Sequence, residues 1–126
     1  MEQNDKKVLI IEDDSSLLKS LADNLAGEGY QIIEATDGAD GFEKITKSNP
    51  DIILLDLVLP KMDGITIIKK VNESDQLRKI PIIILTNLDE SEQVASAMEA
   101  GVYEYLQKTD WHIEDVVKKV KEKLEK

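Results

Sequence analysis

The sequence predicts an α/β protein: a doubly wound parallel sheet of five strands with five helices. Three observations carry this. Five short apolar runs alternate along the chain with five stretches of helical periodicity. The runs are apolar almost throughout, as in Ile52-Ile53-Leu54-Leu55, which marks parallel strands covered on both faces. Glycine, proline and Asp-Gly or Asn-Pro pairs separate the segments.

The first strand is predicted over residues 7–12. A helix follows over 14–26, with Leu17, Leu18, Leu21 and Leu25 at helical spacing. Asp14 is placed to cap it, and Gly27 and Gly29 suit its end. A short strand over 30–35 leads to the turn Asp37-Gly38 and a helix over 39–47, with Phe42 and Ile45 inward. Asn49-Pro50 precedes the third strand, 51–56. Asp63-Gly64 opens a helix to about residue 73, striped by Ile65, Ile68 and Val71. Pro81 stands before the strand 82–85, where a missing N–H is tolerated. The fourth helix is expected over 90–100, with Val94, Ala97 and Met98 inward and Gly101 ending it. Residues 102–107 read as strand five. Ile113, Val116, Val117, Val120 and Leu124 form the stripe of the last helix. Its closing lysines suit the negative end of the helix dipole and read as a solvated face with Glu122 and Glu125.

Length and composition bound what such a protein does. A chain of 126 residues holds one core, so a single domain over 1–126 is expected, its core about 7–125. Cysteine is absent, which excludes disulfides and thiolate metal sites. The 26 acidic and 16 basic residues leave a net charge of −10, which opposes direct nucleic-acid binding. No apolar run approaches a membrane span, and the first residues lack the apolar core of a signal peptide. A cytoplasmic location without membrane attachment is the expectation.

In a doubly wound sheet, ligands bind beyond the C-terminal strand ends at the switch point. In the flavodoxin-like order 2-1-3-4-5 that point lies between strands one and three. Strand one ends in Glu12-Asp13-Asp14 and strand three in Asp56. Carboxylates converging there repel unless a cation relieves them, and Mg2+ suits an all-oxygen site that keeps water and phosphate oxygens. Thr86 ends strand four and Lys108 follows strand five. Taken singly these are a turn residue and a surface lysine. Together they present a hydroxyl and an ammonium to the same crevice, as a bound phosphoryl group requires.

From about Val8 to Leu124 the chain resembles the response-regulator receiver domains of two-component signalling. The segment Asp56-Leu-Val-Leu-Pro-Lys-Met-Asp-Gly64 lies close to the family pattern, with Leu59 in place of a methionine. Glu12, Asp13, Thr86, Tyr105 and Lys108 fall where that family places functional residues. The resemblance implies that Asp56 accepts a phosphoryl group from a histidine kinase or a phosphotransfer protein. It implies Mg2+, with Mn2+ as substitute, held by Asp13, Asp56 and the Val58 backbone carbonyl, with Glu12 acting through water. Lys108 would pair with the phosphoryl group and Thr86 would hydrogen-bond it. Thr86 and Tyr105 would then switch the surface of the fourth helix, fifth strand and fifth helix toward a downstream target. The resemblance therefore carries the expectation of no conventional enzyme, no output domain in this chain, and a monomer or weak homodimer.

Three departures from the pattern bear on function. Thr109 replaces the usual proline after Lys108, which argues against a cis bond and puts the position of Lys108 in question. Val58 and Leu88 stand where relatives often carry polar groups that guide water, so slow loss of phosphate is expected. Asn87 replaces a small residue and would restrict small phosphodonors. His112 and Trp111 read as surface, capping or packing residues near the last helix.

Other classes fit less well. A receiver-shaped module that works without phosphorylation need not keep Asp13, Asp56, Thr86 and Lys108. A domain cut from a larger regulator or hybrid kinase would look the same. A phosphatase of the haloacid-dehalogenase type needs an aspartate at position 58, and a flavin binder needs a phosphate cradle where Glu12-Asp13-Asp14 stands.

Overall fold

A computed structural model describes residues 5–87, 91–102, 104–108 and 112–125. The elements are β1 (Lys7–Ile11), α1 (Ser15–Gly27), β2 (Gln31–Ala35), α2 (Gly38–Ser48), β3 (Ile52–Asp56), α3 (Gly64–Asn72), β4 (Ile82–Thr86), α4 (Ser91–Glu99), β5 (Glu104–Gln107) and α5 (Ile113–Leu124). A 3-10 turn over Leu77–Lys79, which the periodicity did not signal, joins α3 to β4. All strands pair in parallel in the order β2-β1-β3-β4-β5. The expected topology is therefore observed.

Burial explains why the three central strands read so clearly. Residues 8–11, 52–56 and 82–86 are all buried, while β2 and β5 at the edges are mostly part-exposed. Alternate residues feed two cores. Val8, Ile10, Ile52, Leu54, Ile83 and Leu85 pack with α1 and α5. Leu9, Ile11, Ile53, Leu55 and Ile84 pack with α2, α3 and α4 on the other face.

Aspartates start three of the helices. Asp14 accepts from the N–H groups of Ser16 (3.0 Å) and Leu17 (3.2 Å), Asp37 from Asp40 (2.7 Å) and Asp63 from Thr66 (2.9 Å). This assigns Asp14 to capping and leaves Asp13 outside that role. The backbone N–H of His112, just before α5, donates to Asp115 at 2.8 Å, consistent with a capping position.

Two expectations need correction. Residue 102 is not part of strand five, described as Glu104–Gln107, because the Val102 N–H bonds back to Ala97 across Gly101, whose φ is +97°. Val102 is apolar because it packs against the second core, not because it lies in the sheet. The lysines of α5 are not simply a solvated face. Lys119 and Lys123 both pair with Glu104 of β5, at 3.0 and 3.2 Å, and Lys121 pairs with Glu28. The Tyr30 hydroxyl also donates to Glu125, and burial with that carboxylate raises the phenol well above its ordinary pKa.

Candidate functional site

The sheet delivers its acidic groups to one crevice. Parallel register sets Ile11 beside Leu55, Asp56 beside Leu85 and Thr86 beside Gln107, so four strands end at nearly one level. Asp56 and Thr86 close their strands there, Glu12 directly follows β1 and Lys108 directly follows β5. Lys108 is tied in place by its own N–H, which donates to the Thr86 carbonyl at 2.6 Å.

Glu12 and Asp56 are buried, at 0% and 3% exposure, while Asp13 is exposed. The Lys108 ammonium reaches both buried acids, 2.8 Å from Glu12 Oε1 and 3.0 Å from Asp56 Oδ2. The Asp56 contact is a hydrogen bond. Glu12 Oε1 is paired with the ammonium and has no further partner among the described residues. Glu12 Oε2 accepts the Asp14 N–H at 3.0 Å, and Asp56 Oδ1 accepts the Val58 N–H at 3.1 Å.

The protonation equilibria follow from this placement. Burial pushes Glu12 up from 4.5 to about 7, and the Asp56 charge adds to it. Pairing with Lys108 and the Asp14 N–H opposes the rise without cancelling it. For Lys108, burial lowers the ammonium, but bonds to Glu12 and Asp56 outweigh it and leave the pKa above the lysine norm. Two buried acids thus share a single ammonium.

One oxygen each from Glu12, Asp13 and Asp56 lies within 4.8 Å of the others. Two buried carboxylates sharing one ammonium, with an exposed third beside them, form an all-oxygen donor set that fits a hard divalent cation of the Mg2+ or Mn2+ kind. Val58, whose carbonyl was expected to contribute, directly follows Leu57 on the loop leaving Asp56 and is 50% exposed.

The remaining expected residues are placed as follows. Thr86 is buried at 1%, and its hydroxyl donates to the Asn87 carbonyl at 3.0 Å, not to Asp56. Tyr105 is on β5 with its side chain 39% exposed. Lys108 sits in the pocket although proline does not follow it. Leu88, Thr109 and Trp111 lie outside the described residues. Sequence reasoning did not anticipate the direct contact of Glu12 with Lys108, since nothing local links positions 96 residues apart. Nor did it anticipate Lys61, whose φ of 71° is unusual for a non-glycine residue.

Comparisons with known proteins agree with this geometry. Residues 8–121 match a family profile described as response regulator receiver domain. The chain is 37% identical over 103 residues to the alkaline phosphatase synthesis transcriptional regulatory protein PhoP of Bacillus subtilis, covering 82% of this chain and 42% of that protein. It is 35% identical over 105 residues to the chemotaxis protein CheY of Treponema pallidum, covering 81% of this chain and 72% of that one. A CheY-like receiver domain protein from Methanospirillum hungatei superposes with a TM-score of 0.86 at 30% identity, covering 97% of this chain and 95% of the other. The chain spans less than half the length of several curated relatives, 42%, 47% and 44% of three transcriptional regulators.

Proposed function

The chain belongs to the response-regulator receiver family, and on that premise we propose that it is a phosphoacceptor switch with Asp56 as the acceptor. Receiver domains are signalling switches of two-component systems. The observation that carries the reading here is the buried Asp56 carboxylate, bonded to Lys108 and within reach of Glu12 and Asp13 at the ends of β1 and β3.

The donor is a phosphohistidine on a histidine kinase or phosphotransfer protein. An Asp56 oxygen forms a bond to phosphorus as the P–N bond to imidazole breaks, and the leaving nitrogen takes up a proton. Asp13, Asp56 and the Val58 carbonyl would hold Mg2+, with Glu12 acting through water, and the bound ion would supply positive charge against the transferring group. Lys108 is already at Asp56, so its ammonium passes to a phosphoryl oxygen with little movement. The Thr86 hydroxyl leaves the Asn87 carbonyl and donates to another. Tyr105, exposed on β5, turns inward behind it, and the α4–β5–α5 surface changes toward the target.

The single receiver domain spans the chain under this reading, and the target is a separate protein or a linked output domain. Relatives named as transcriptional regulators, about twice this length, favour the linked arrangement. Cytoplasmic placement follows from the kinase as donor; no helix among the described residues is long and apolar enough to cross a membrane.

Incubation with Mg2+ and a phosphodonor tests the reading by mass. We expect a gain of one phosphoryl group in wild type and none in Asp56→Asn, with Asp13→Ala strongly slowed. Because Asn87 is expected to restrict small donors, acetyl phosphate is paired with a phosphorylated kinase. An unmodified wild type with both donors refutes it.

A further inference from the structure

The corner between β2 and α2 follows Ala35, whose carbonyl accepts the Glu12 N–H at 3.0 Å, and it grips the loop that leaves Asp56. The Gly38 N–H donates to the Pro60 carbonyl at 3.1 Å, and the Met62 N–H donates to the same oxygen at 2.8 Å. Between these residues Lys61 takes a φ of 71°. The Lys61 ammonium lies 3.6 Å from Asp37, the residue that caps α2. The contact leaves no room for a side chain at position 38. A β-carbon there would stand 1.5 Å from the Met62 carbonyl oxygen and 2.5 Å from its carbon. Gly38 is not among the residues of positive φ, so space and not backbone freedom demands glycine. The far end of the loop is closed as tightly. The Gly64 N–H donates to Leu57 at 2.8 Å, and a β-carbon on Gly64 would lie 2.7 Å from Leu57 Cα.

We propose that Asp37 and Gly38 form a positioning element for the divalent-cation site, holding the 57–63 loop so that the Val58 carbonyl and Asp56 face Asp13 together. This rests on the metal role proposed above for Asp13, Asp56 and Val58. Mg2+ demands near-octahedral oxygens at about 2.1 Å and tolerates little displacement. A methyl group at position 38 drives the Met62 backbone outward by about 2 Å before contact is acceptable. Val58 is two residues from Pro60, the carbonyl that Gly38 holds. The displacement therefore reaches a ligand on a short, doubly pinned loop.

Isothermal titration with Mg2+ on wild type, Gly38→Ala and Leu25→Ala tests this. Leu25 is fully buried against the opposite sheet face, so its truncation destabilises the fold without touching the loop. We expect Gly38→Ala to weaken Mg2+ binding by about tenfold or more, and Leu25→Ala to lower the melting temperature with affinity unchanged within about twofold. A folded Gly38→Ala with wild-type affinity overturns the proposal, as does equal weakening in both variants. Where Gly38→Ala does not fold, hydrogen exchange of the Gly38 amide in wild type replaces it. By linkage Mg2+ should slow that exchange, and an unchanged rate overturns the proposal. A wild type that binds no Mg2+ overturns the metal reading itself, a result distinct from wild-type binding left intact by Gly38→Ala.

Discussion

Replacing Glu12 by glutamine should stabilise the metal-free protein at neutral pH. Glu12 is fully buried, and its folded pKa of about 7 stands above the ordinary 4.5. Between these values the folded state binds more protons than the unfolded state, so stability falls as pH rises through that window. The contribution is fully present below pH 4.5 and lost above about 7. At about 1.4 kcal/mol per pH unit, the loss comes to roughly 3 kcal/mol. Glutamine keeps the shape and an acceptor for the Asp14 N–H but does not ionise, and Lys108 keeps Asp56. Urea unfolding in chelator from pH 4.5 to 8 reads the effect. The two proteins should be about equal at the acid end, and the variant should lead by roughly 3 kcal/mol at pH 8. For a urea slope near 2 kcal/mol per molar, that is a midpoint shift of about 1.5 M. Added Mg2+ should narrow the gap, because it favours ionised Glu12. A gap that does not change with pH, or one in favour of wild type at pH 8, would refute the reasoning.

Val58→Asn should shorten the life of the aspartyl phosphate by about tenfold, because an exposed amide two residues from Asp56 can orient water where valine cannot; mass analysis after removal of donor checks it, and equal lifetimes would count against it. Glu104→Gln removes the charge shared by Lys119 and Lys123, which lowers the Glu104 pKa. These pairs are part-exposed and screened, so the loss should be at most about 1 kcal/mol. Because that folded pKa is depressed, the difference should hold above the ordinary glutamate value and vanish as pH falls through the folded one. Thermal melts across pH and salt test this, and a large salt-independent loss would point to packing instead.

Legibility in the sequence followed burial. β1, β3 and β4 are uniformly apolar because both faces are covered, and their acidic ends stand out against that background. Asp56, Asp13, Thr86 and Lys108 were therefore readable as strand-end residues. The start of β5 was not readable, since Val102 is apolar for packing at a helix end and looks the same in a pattern. Contacts made across the fold leave no local trace. Lys119 and Lys123 share a helix face at a spacing of four, but only the sheet brings Glu104 to it. Asp37-Gly38 reads as an ordinary turn, and only the folded β3–α3 loop shows why a β-carbon is excluded there.

The two helices flanking β5 differ in how firmly the fold holds them. α5 buries Val116 and Val120 and is bolted by side chains to β5, to Glu28 and, through Glu125, to Tyr30. α4 has one fully buried residue, Ala97, with Val94 and Ala100 part-buried beside it. Withdrawing a methyl group from the core costs roughly 1 kcal/mol. A modest pull at Thr86, on the strand leading into α4, would thus act on the less anchored helix, with α5 the firmer of the two. Under the switch reading proposed above, the amplitude of the response would be set less by the strength of a new bond at Thr86 than by this inequality in anchorage.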